Sequence, residues 1–161
     1  MGSSLEIKKI DADHYKIKGV IDEFSDLSEI FGSHSSGDIW IDLGDVTRIN
    51  SSGIRIWMQS IFAFKGKIHL HNCSMVMVDQ FVMIPSLVNA DRLVESFYVH
   101  FVCDDCGIEA RDLVKIGEDI DASNYEDFPQ ERACAKCGGT MMFDHSPELY
   151  FSFLNDLPKS S

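Results

Sequence analysis

The sequence is poor in basic residues. It contains 14 Lys and Arg against 26 Asp and Glu, which gives a formal net charge of −12 at pH 7. Proteins that bind nucleic acid concentrate Lys and Arg on one surface, because these side chains displace the counterions of the phosphates. Anionic membranes attract basic segments for the same electrostatic reason. We therefore expect neither nucleic-acid binding nor attachment to an anionic membrane.

The chain also lacks an apolar run long enough to span a bilayer, which takes about 20 residues. Its longest candidate, residues 75–84, is interrupted by Asp79 and Gln80. Residues 1–8 do not contain the apolar stretch of a secretory leader. These absences predict no membrane insertion and a location in the reducing cytoplasm, where structural disulfides are rare.

Sequence patterns typical of catalysis are missing as well. We find no phosphate-binding loop, no dinucleotide-binding fingerprint and no recognisable Ser-His-Asp or Cys-His arrangement. The hydrophobic fraction of 45% is nevertheless typical of a folded chain with a substantial core. We therefore expect a binding protein rather than an enzyme.

Two closely spaced cysteine pairs are the strongest motif that the sequence does contain. Each pair has the pattern Cys-x-x-Cys-Gly, and residues 107–133 separate the pairs, whose members are Cys103, Cys106, Cys134 and Cys137. Four thiolates complete the tetrahedral shell of a structural zinc ion. The separation is longer than usual for such sites, but loop entropy grows only slowly with length. The pattern predicts a zinc ribbon whose long acidic loop carries six carboxylates and no Lys or Arg between residues 118 and 131.

Three other interpretations of the cysteine pairs remain open. Two disulfides need an oxidising compartment, and a thioredoxin-like redox pair needs a Cys-x-x-Cys that opens a helix after a strand. An iron–sulfur cluster has no specific spacing cue here. With a closed shell of four thiolates, zinc has no open coordination position, so we expect it to stabilise the fold and not to hydrolyse a substrate. The fifth cysteine, Cys73, is expected to be a small core or surface residue.

Hydrophobic periodicity predicts alternating strands and helices, which favours an α/β sheet packed with helices. The residue run 38–43 is almost continuously apolar, which is typical of a central strand buried on both faces. The predicted elements are two strands in 5–24, a helix at 26–31, a turn at 33–37, a strand at 38–43, a helix at 51–64, a strand at 67–72, a helix at 74–84, a strand at 93–102 and a C-terminal helix from Ser146-Pro147. His69 and His71 share one face of their strand. A solvated face is the preferred interpretation, and a metal-binding pair is the alternative.

Residues 38–98 resemble the STAS family, the domain of sulfate-transporter tails and of bacterial anti-sigma factor antagonists. The matching stretches are Ile39-Trp40-Ile41-Asp42-Leu43-Gly44-Asp45-Val46, Ile49-Asn50-Ser51-Ser52-Gly53-Ile54, Gly66-Lys67-Ile68-His69-Leu70 and Met83-Ile84-Pro85. The resemblance implies a STAS domain at residues 1–100 with a mixed sheet packed with helices. Residues 101–161 would then form the zinc ribbon, a small β subdomain with the acidic loop and the C-terminal helix.

The resemblance also implies a function. In the antagonist members, a partner kinase phosphorylates the hydroxyl that follows the family's Asp, and this controls binding to the partner. In this chain the corresponding hydroxyl belongs to Ser51, and Asn50 replaces the family's Asp. The expected partner is a serine kinase or an anti-sigma-like regulator, bound by Asn50, Ser51, Ser52, Gly53 and Arg55. Two alternatives remain: the turn serves only as a helix cap, or the protein is a constitutive scaffold or accessory subunit of a signalling or transport assembly without phosphorylation.

Overall fold

The computed structural model describes residues 4–32 and 37–158, so the turn predicted at 33–37 lies, apart from Gly37, outside the described residues. The strands are β1 (Leu5–Asp11), β2 (His14–Ile21), β3 (Ile39–Ile49), β4 (Ile68–His71), β5 (Arg92–Val94), β6 (Ser96–Cys103), β7 (Glu109–Lys115), β8 (Glu131–Ala133) and β9 (Thr140–Phe143). The α-helices are α1 (Ser28–Phe31), α2 (Ser51–Ala63), α3 (Met75–Met83) and α4 (Pro147–Tyr150). Short 3-10 helices follow at Pro85–Leu87, Tyr125–Asp127 and Ser152–Asp156. Throughout the described ranges, every helix is too short or too polar to cross a membrane.

The first sheet is mixed, with the strand order β1-β2-β3-β4-β5. The β1–β2 hairpin is antiparallel, and β2, β3, β4 and β5 pair in parallel. Parallel neighbours need a crossover connection, and α2 connects β3 to β4 while α3 lies between β4 and β5 along the chain. This arrangement confirms the α/β class and the central position of β3.

The two faces of the first sheet differ in how they are covered. Alternate residues of β2, β3 and β4, such as Ile17, Ile41 and Leu70, are buried in the same core as the inward side chains of α2 and α3. The intervening residues form what we call the outer face, whose members His14, Lys16, Trp40, Asp42, His69 and His71 are only partly buried. The expected burial of β3 on both faces is therefore wrong. Trp40 extends the apolar run, yet its ring lies on the outer face, stacked on His69 with the ring centroids 4.6 Å apart.

The second sheet is antiparallel, with the strand order β7-β6-β9-β8. Its strand β6 follows β5 after a single residue, so the strand predicted at 93–102 is divided at Glu95. The amide of Glu95 still donates to the carbonyl of Leu70 (2.7 Å), and the amide of Tyr98 donates to the carbonyl of Cys73 (2.9 Å). One extended segment thus leaves the edge of the first sheet and becomes an inner strand of the second.

The C-terminal segment packs on β6 and closes the core. The predicted helix is only the single turn α4, and the chain continues as the 3-10 helix Ser152–Asp156. Phe97 of β6 lies against Phe151 and Phe153, with ring centroids 5.8 Å and 5.1 Å away. The buried hydroxyl of Tyr150 donates to the carbonyl of Tyr98 at 2.6 Å. The segment therefore docks on the core through Tyr150, Phe151 and Phe153, while Leu149 faces solvent.

Candidate functional site

The four paired cysteines meet at one point of the second sheet. Cys103 ends β6, and Cys134 follows β8, so pairing through β9 brings the two Cys-x-x-Cys turns together. The four sulfur atoms all lie within 4.8 Å of one another. Two of the Sγ···Sγ distances are 3.5 Å (Cys103 to Cys137) and 3.8 Å (Cys106 to Cys134). A regular tetrahedron with metal–sulfur bonds of about 2.3 Å has sulfur atoms about 3.8 Å apart. The cluster is therefore positioned to hold one metal ion.

The two cysteine turns have the same backbone geometry. The amide of Gly107 donates to the carbonyl of Cys103 (3.0 Å), and the amide of Gly138 donates to the carbonyl of Cys134 (2.9 Å). Both glycines have φ of 75°, the left-handed region that favours glycine. A Cβ at either position would meet no atom within 4 Å. The left-handed backbone conformation, and not a shortage of space for a side chain, therefore explains these glycines.

Backbone amides also prepare two of the thiols to act as metal ligands. The amide of Cys106 points at Sγ of Cys103 at 3.4 Å, and this contact lowers the pKa of the Cys103 thiol. The backbone amide of Cys137 is the main cause that lowers the pKa of Cys134 to about 6. Thiolates are the metal-binding form of cysteine. The turns therefore favour the charged form of Cys103 and Cys134. At Cys137 the amide of Gly139 is instead outweighed by the neighbouring cysteine side chains, which raise the pKa of this thiol to about 12.

Strand β7 occupies the first part of the interval between the cysteine pairs. It pairs with β6 along its whole length, from Ser96↔Lys115 to Val102↔Glu109. The acidic residues follow in an irregular segment at 116–130, which is anchored by the buried side chain of Ile120 and the partly buried ring of Phe128. Cys73 lies apart from the cluster and is fully buried in the core.

The turn before α2 has Asn50 as the N-cap of the helix. The Oδ1 atom of Asn50 accepts a hydrogen bond from the amide of Gly53 at 2.8 Å. Its Nδ2 atom donates to the Glu23 carboxylate at 2.9 Å, and this bond lowers the pKa of Glu23. The Asn50 side chain therefore provides the acceptor that the amide of Gly53 lacks within the helix. Ser51 is the first helical residue, and its side chain is exposed.

The remaining residues of the predicted partner surface lie at different depths. Arg55 is exposed one helical turn after Ser51, and Ser52 is partly buried. Gly53 is buried, and a Cβ there would overlap the backbone carbonyl of Ile21. Asn50, Ser51 and Arg55 are thus the members of this set that solvent, or a partner, reaches most easily.

The histidines of β4 do not form a pair with each other. The His69 ring bonds to Glu95 through Nδ1 (2.6 Å) and to Asp38 through Nε2 (3.1 Å). The Nε2 atom of His71 instead lies 2.8 Å from Nε2 of His14. His14 carries no local sequence signal for this contact, because its closeness to His71 follows from the order of β2, β3 and β4 in the sheet.

Comparisons of the chain with protein-family models, with curated proteins and with solved structures give no match. The resemblance to the STAS family therefore rests on the residues quoted above and on the order of the elements.

Proposed function

We propose that this protein is a regulatory protein-binding module of the STAS type, not an enzyme, and that phosphorylation of Ser51 controls its binding. The observation that carries the proposal is that Asn50 and Ser51 have different roles in the turn before α2. Asn50 caps the helix with its own side chain, which leaves the exposed hydroxyl of Ser51 at the first helical position. The element order strand, Asn-Ser-Ser-Gly turn, helix, strand, helix supports the STAS assignment.

The charges around this turn would let a phosphate on Ser51 change the affinity for a partner strongly. A phosphate adds about two negative charges at neutral pH, and the positive end of the α2 dipole tolerates them well. The first turn of α2 contains no acidic residue, and Arg55 lies one turn further on. The phosphate would therefore be accommodated by the folded chain while it changes the charge and bulk of the surface around Ser51. A partner that docks on this surface loses affinity.

The test begins with the intact mass of the protein purified from its own host, followed by mapping of any phosphate. We expect a fraction of the molecules to carry one phosphate on Ser51. The co-purifying partner should then bind Ser51→Ala like the wild type and bind Ser51→Asp at least about tenfold more weakly, a loss of about 1.4 kcal/mol. Ser86→Asp is the matched control, since it adds the same charge at an exposed serine outside the predicted partner surface, and it should bind like the wild type. Equal binding of Ser51→Ala and Ser51→Asp would contradict the switch.

One observation favours the second candidate, a constitutive scaffold or accessory subunit without phosphorylation. The Glu23 carboxylate is held at the same turn by Asn50, and it would repel a phosphate on the next residue. Protein from its own host that carries no phosphate under any growth condition, and yet binds a partner, would support the scaffold.

We further propose that the metal held by the four cysteines is zinc, in a structural role. Four thiolates in a tetrahedral arrangement suit zinc, and they leave no coordination position for water. The ion would link the end of β6 to the β8–β9 hairpin and thereby stabilise the pairing of β6 with β9.

A further inference from the structure

The outer face of the first sheet carries a contact between two imidazoles that neither the cysteine cluster nor the Ser51 turn explains. His14 begins β2 and His71 ends β4, so the central strand β3 lies between them. Register places His14 beside Trp40 and His71 beside Asp42. The two side chains therefore reach toward each other over β3 from opposite sides.

The distance between their ring nitrogens matches a pair of metal ligands. The two Nε2 atoms are 2.8 Å apart, and the rings meet edge to face at a centroid distance of 4.8 Å. Two nitrogens bound at about 2.1 Å to one ion lie about 2.9–3.0 Å apart when their bonds meet at a right angle, and about 3.4 Å apart in a tetrahedron. The observed spacing therefore suits adjacent positions of a square-planar or octahedral ion better than tetrahedral zinc.

We propose that His14 and His71 bind a divalent transition-metal ion of the nickel or copper type, at a site separate from the four cysteines. Each imidazole donates the Nε2 lone pair. The proton that the two Nε2 atoms share moves through solvent to Nδ1 of the ring that carried it, so both rings bind the ion as neutral imidazoles. Water completes the coordination on the open side of the sheet. Imidazole is a preferred ligand of both ions, and both favour bond angles of 90°.

The charges around the pair favour a cation. Asp42 on β3 is the strand partner of His71 on β4. Its carboxylate accepts hydrogen bonds from the amide of Gly44 (2.8 Å) and from Nδ2 of Asn72 (3.0 Å), which fix its position. Lys16, two residues from His14 on β2, is bound to Asp45 at 2.9 Å, and the Arg111 guanidinium donates to the carbonyl of Gly44 at 2.9 Å. A fixed carboxylate close to the ligands stabilises the bound ion.

His69 provides a matched control on the same strand and the same face. Both of its ring nitrogens already have carboxylate partners, and its ring is stacked on Trp40. His69 is therefore not expected to bind the ion, although it lies two residues from His71.

The test is a titration of the full, zinc-loaded chain with Ni²⁺ at pH 7.5, with both metals counted by elemental analysis after dialysis. We expect one Ni²⁺ per chain in addition to the zinc. The affinity should fall at least about tenfold in His14→Gln and in His71→Gln, and it should be unchanged in His69→Gln. Absence of bound Ni²⁺ in the wild type, or undiminished binding in both His14→Gln and His71→Gln, would overturn the proposal.

A second measurement does not depend on the variants folding. In the wild-type protein, paramagnetic Ni²⁺ should broaden the imidazole NMR signals of His14 and His71 at substoichiometric amounts, before those of His69. Broadening that begins at the other histidines, or at the cysteine turns, would equally contradict a site at this pair. The outcome is independent of whether Ser51 is phosphorylated.

Discussion

Gly53 determines how closely α2 approaches the first sheet. The carbonyl of Ile21 at the end of β2 accepts a bond from the amide of Asn50 (3.2 Å), and the same carbonyl lies where a Cβ of residue 53 would be. A side chain at this position would therefore push the helix start away from the strand. Because Asn50 and Ser51 belong to that helix start, the glycine also sets where the proposed docking residues lie.

Replacement of Gly53 by Ala should therefore destabilise the protein. In an exposed helix interior the same change stabilises by about 1 kcal/mol, but here the overlap with a backbone carbonyl predicts a loss of about 1–3 kcal/mol. Urea denaturation measures the difference. Gln59→Ala, at an exposed position of the same helix, should stay within about 0.5 kcal/mol of the wild type. A Gly53→Ala protein as stable as the wild type would show that the helix start shifts without cost.

At the level of secondary structure elements, β8 and β9 are attached to the second sheet by few strand pairs, whereas β6 and β7 pair over seven residues. Strand β8 is joined to β9 by only three residue pairs, and β9 is joined to β6 by another three. A two-stranded hairpin of this length is marginal by itself. The cysteine cluster connects the end of β6 with the turn that precedes β9, so an ion bound there would support these short pairings.

Removal of the metal should consequently open the second sheet before the first. A zinc ion contributes on the order of 10 kcal/mol in isolated zinc-binding peptides, which exceeds what six pairs of strand residues supply. Amide hydrogen exchange after chelation should show loss of protection in β8 and β9, while β2, β3 and β4 keep theirs. Cys106→Ser should reduce the zinc content, whereas Cys73→Ala should retain one ion per chain. Unchanged stability after complete removal of the metal would contradict a structural role.

The sequence was sufficient to predict elements whose signal is local. The periodicity that predicts α2 corresponds to Trp57 and Ile61, which are buried, and to Ile54 and Met58, which pack against the core. The alternation in β4 likewise follows burial, and Asn50 caps the helix directly before this apolar stripe. The elements that it misplaced depend on non-local pairing. The division of the 93–102 run at Glu95 occurs where one segment changes partners from β4 to β7 and β9. The contact between His14 and His71 likewise needs the strand order, which no local pattern encodes.

At the scale of the whole molecule, both sheets share one core. The buried residues of α2, α3, β6 and the C-terminal segment belong to a single cluster. Two partly buried histidines lie at separate edges of this core, and burial is the main cause that lowers the pKa of His71 and of His100. The charged or titratable groups that act on them are Asp42, His14 and Glu95 for His71, and His145, Arg111, Asp144 and Glu109 for His100.

These two histidines should make the folded state less stable in mild acid. Their pKa values are lower in the folded chain than the ordinary value of 6.5, so the unfolded chain binds more protons below that pH. Their contribution to stability is therefore complete above about pH 6.5 and declines as the pH falls toward the folded-state pKa. Urea midpoints at pH 7.5 and 5.8, with zinc in excess, should show a smaller acid-dependent loss for His100→Gln than for the wild type. Identical losses would mean that His100 does not contribute.

The passage of one segment from the first sheet to the second has a consequence during synthesis. Strand β6 leaves the ribosome well before β9, its partner on one side, and at 5–20 residues per second the delay is roughly 2 to 7 seconds. During that interval β7 covers one edge of β6, but the other edge has no partner until β9 is synthesised. The ring of Phe97 and the thiols of Cys103 and Cys106 also lack their partners, which come from residues 134 onward. The nascent chain is therefore most vulnerable to misassociation late in its translation, and metal capture can be completed only after the second cysteine pair has emerged.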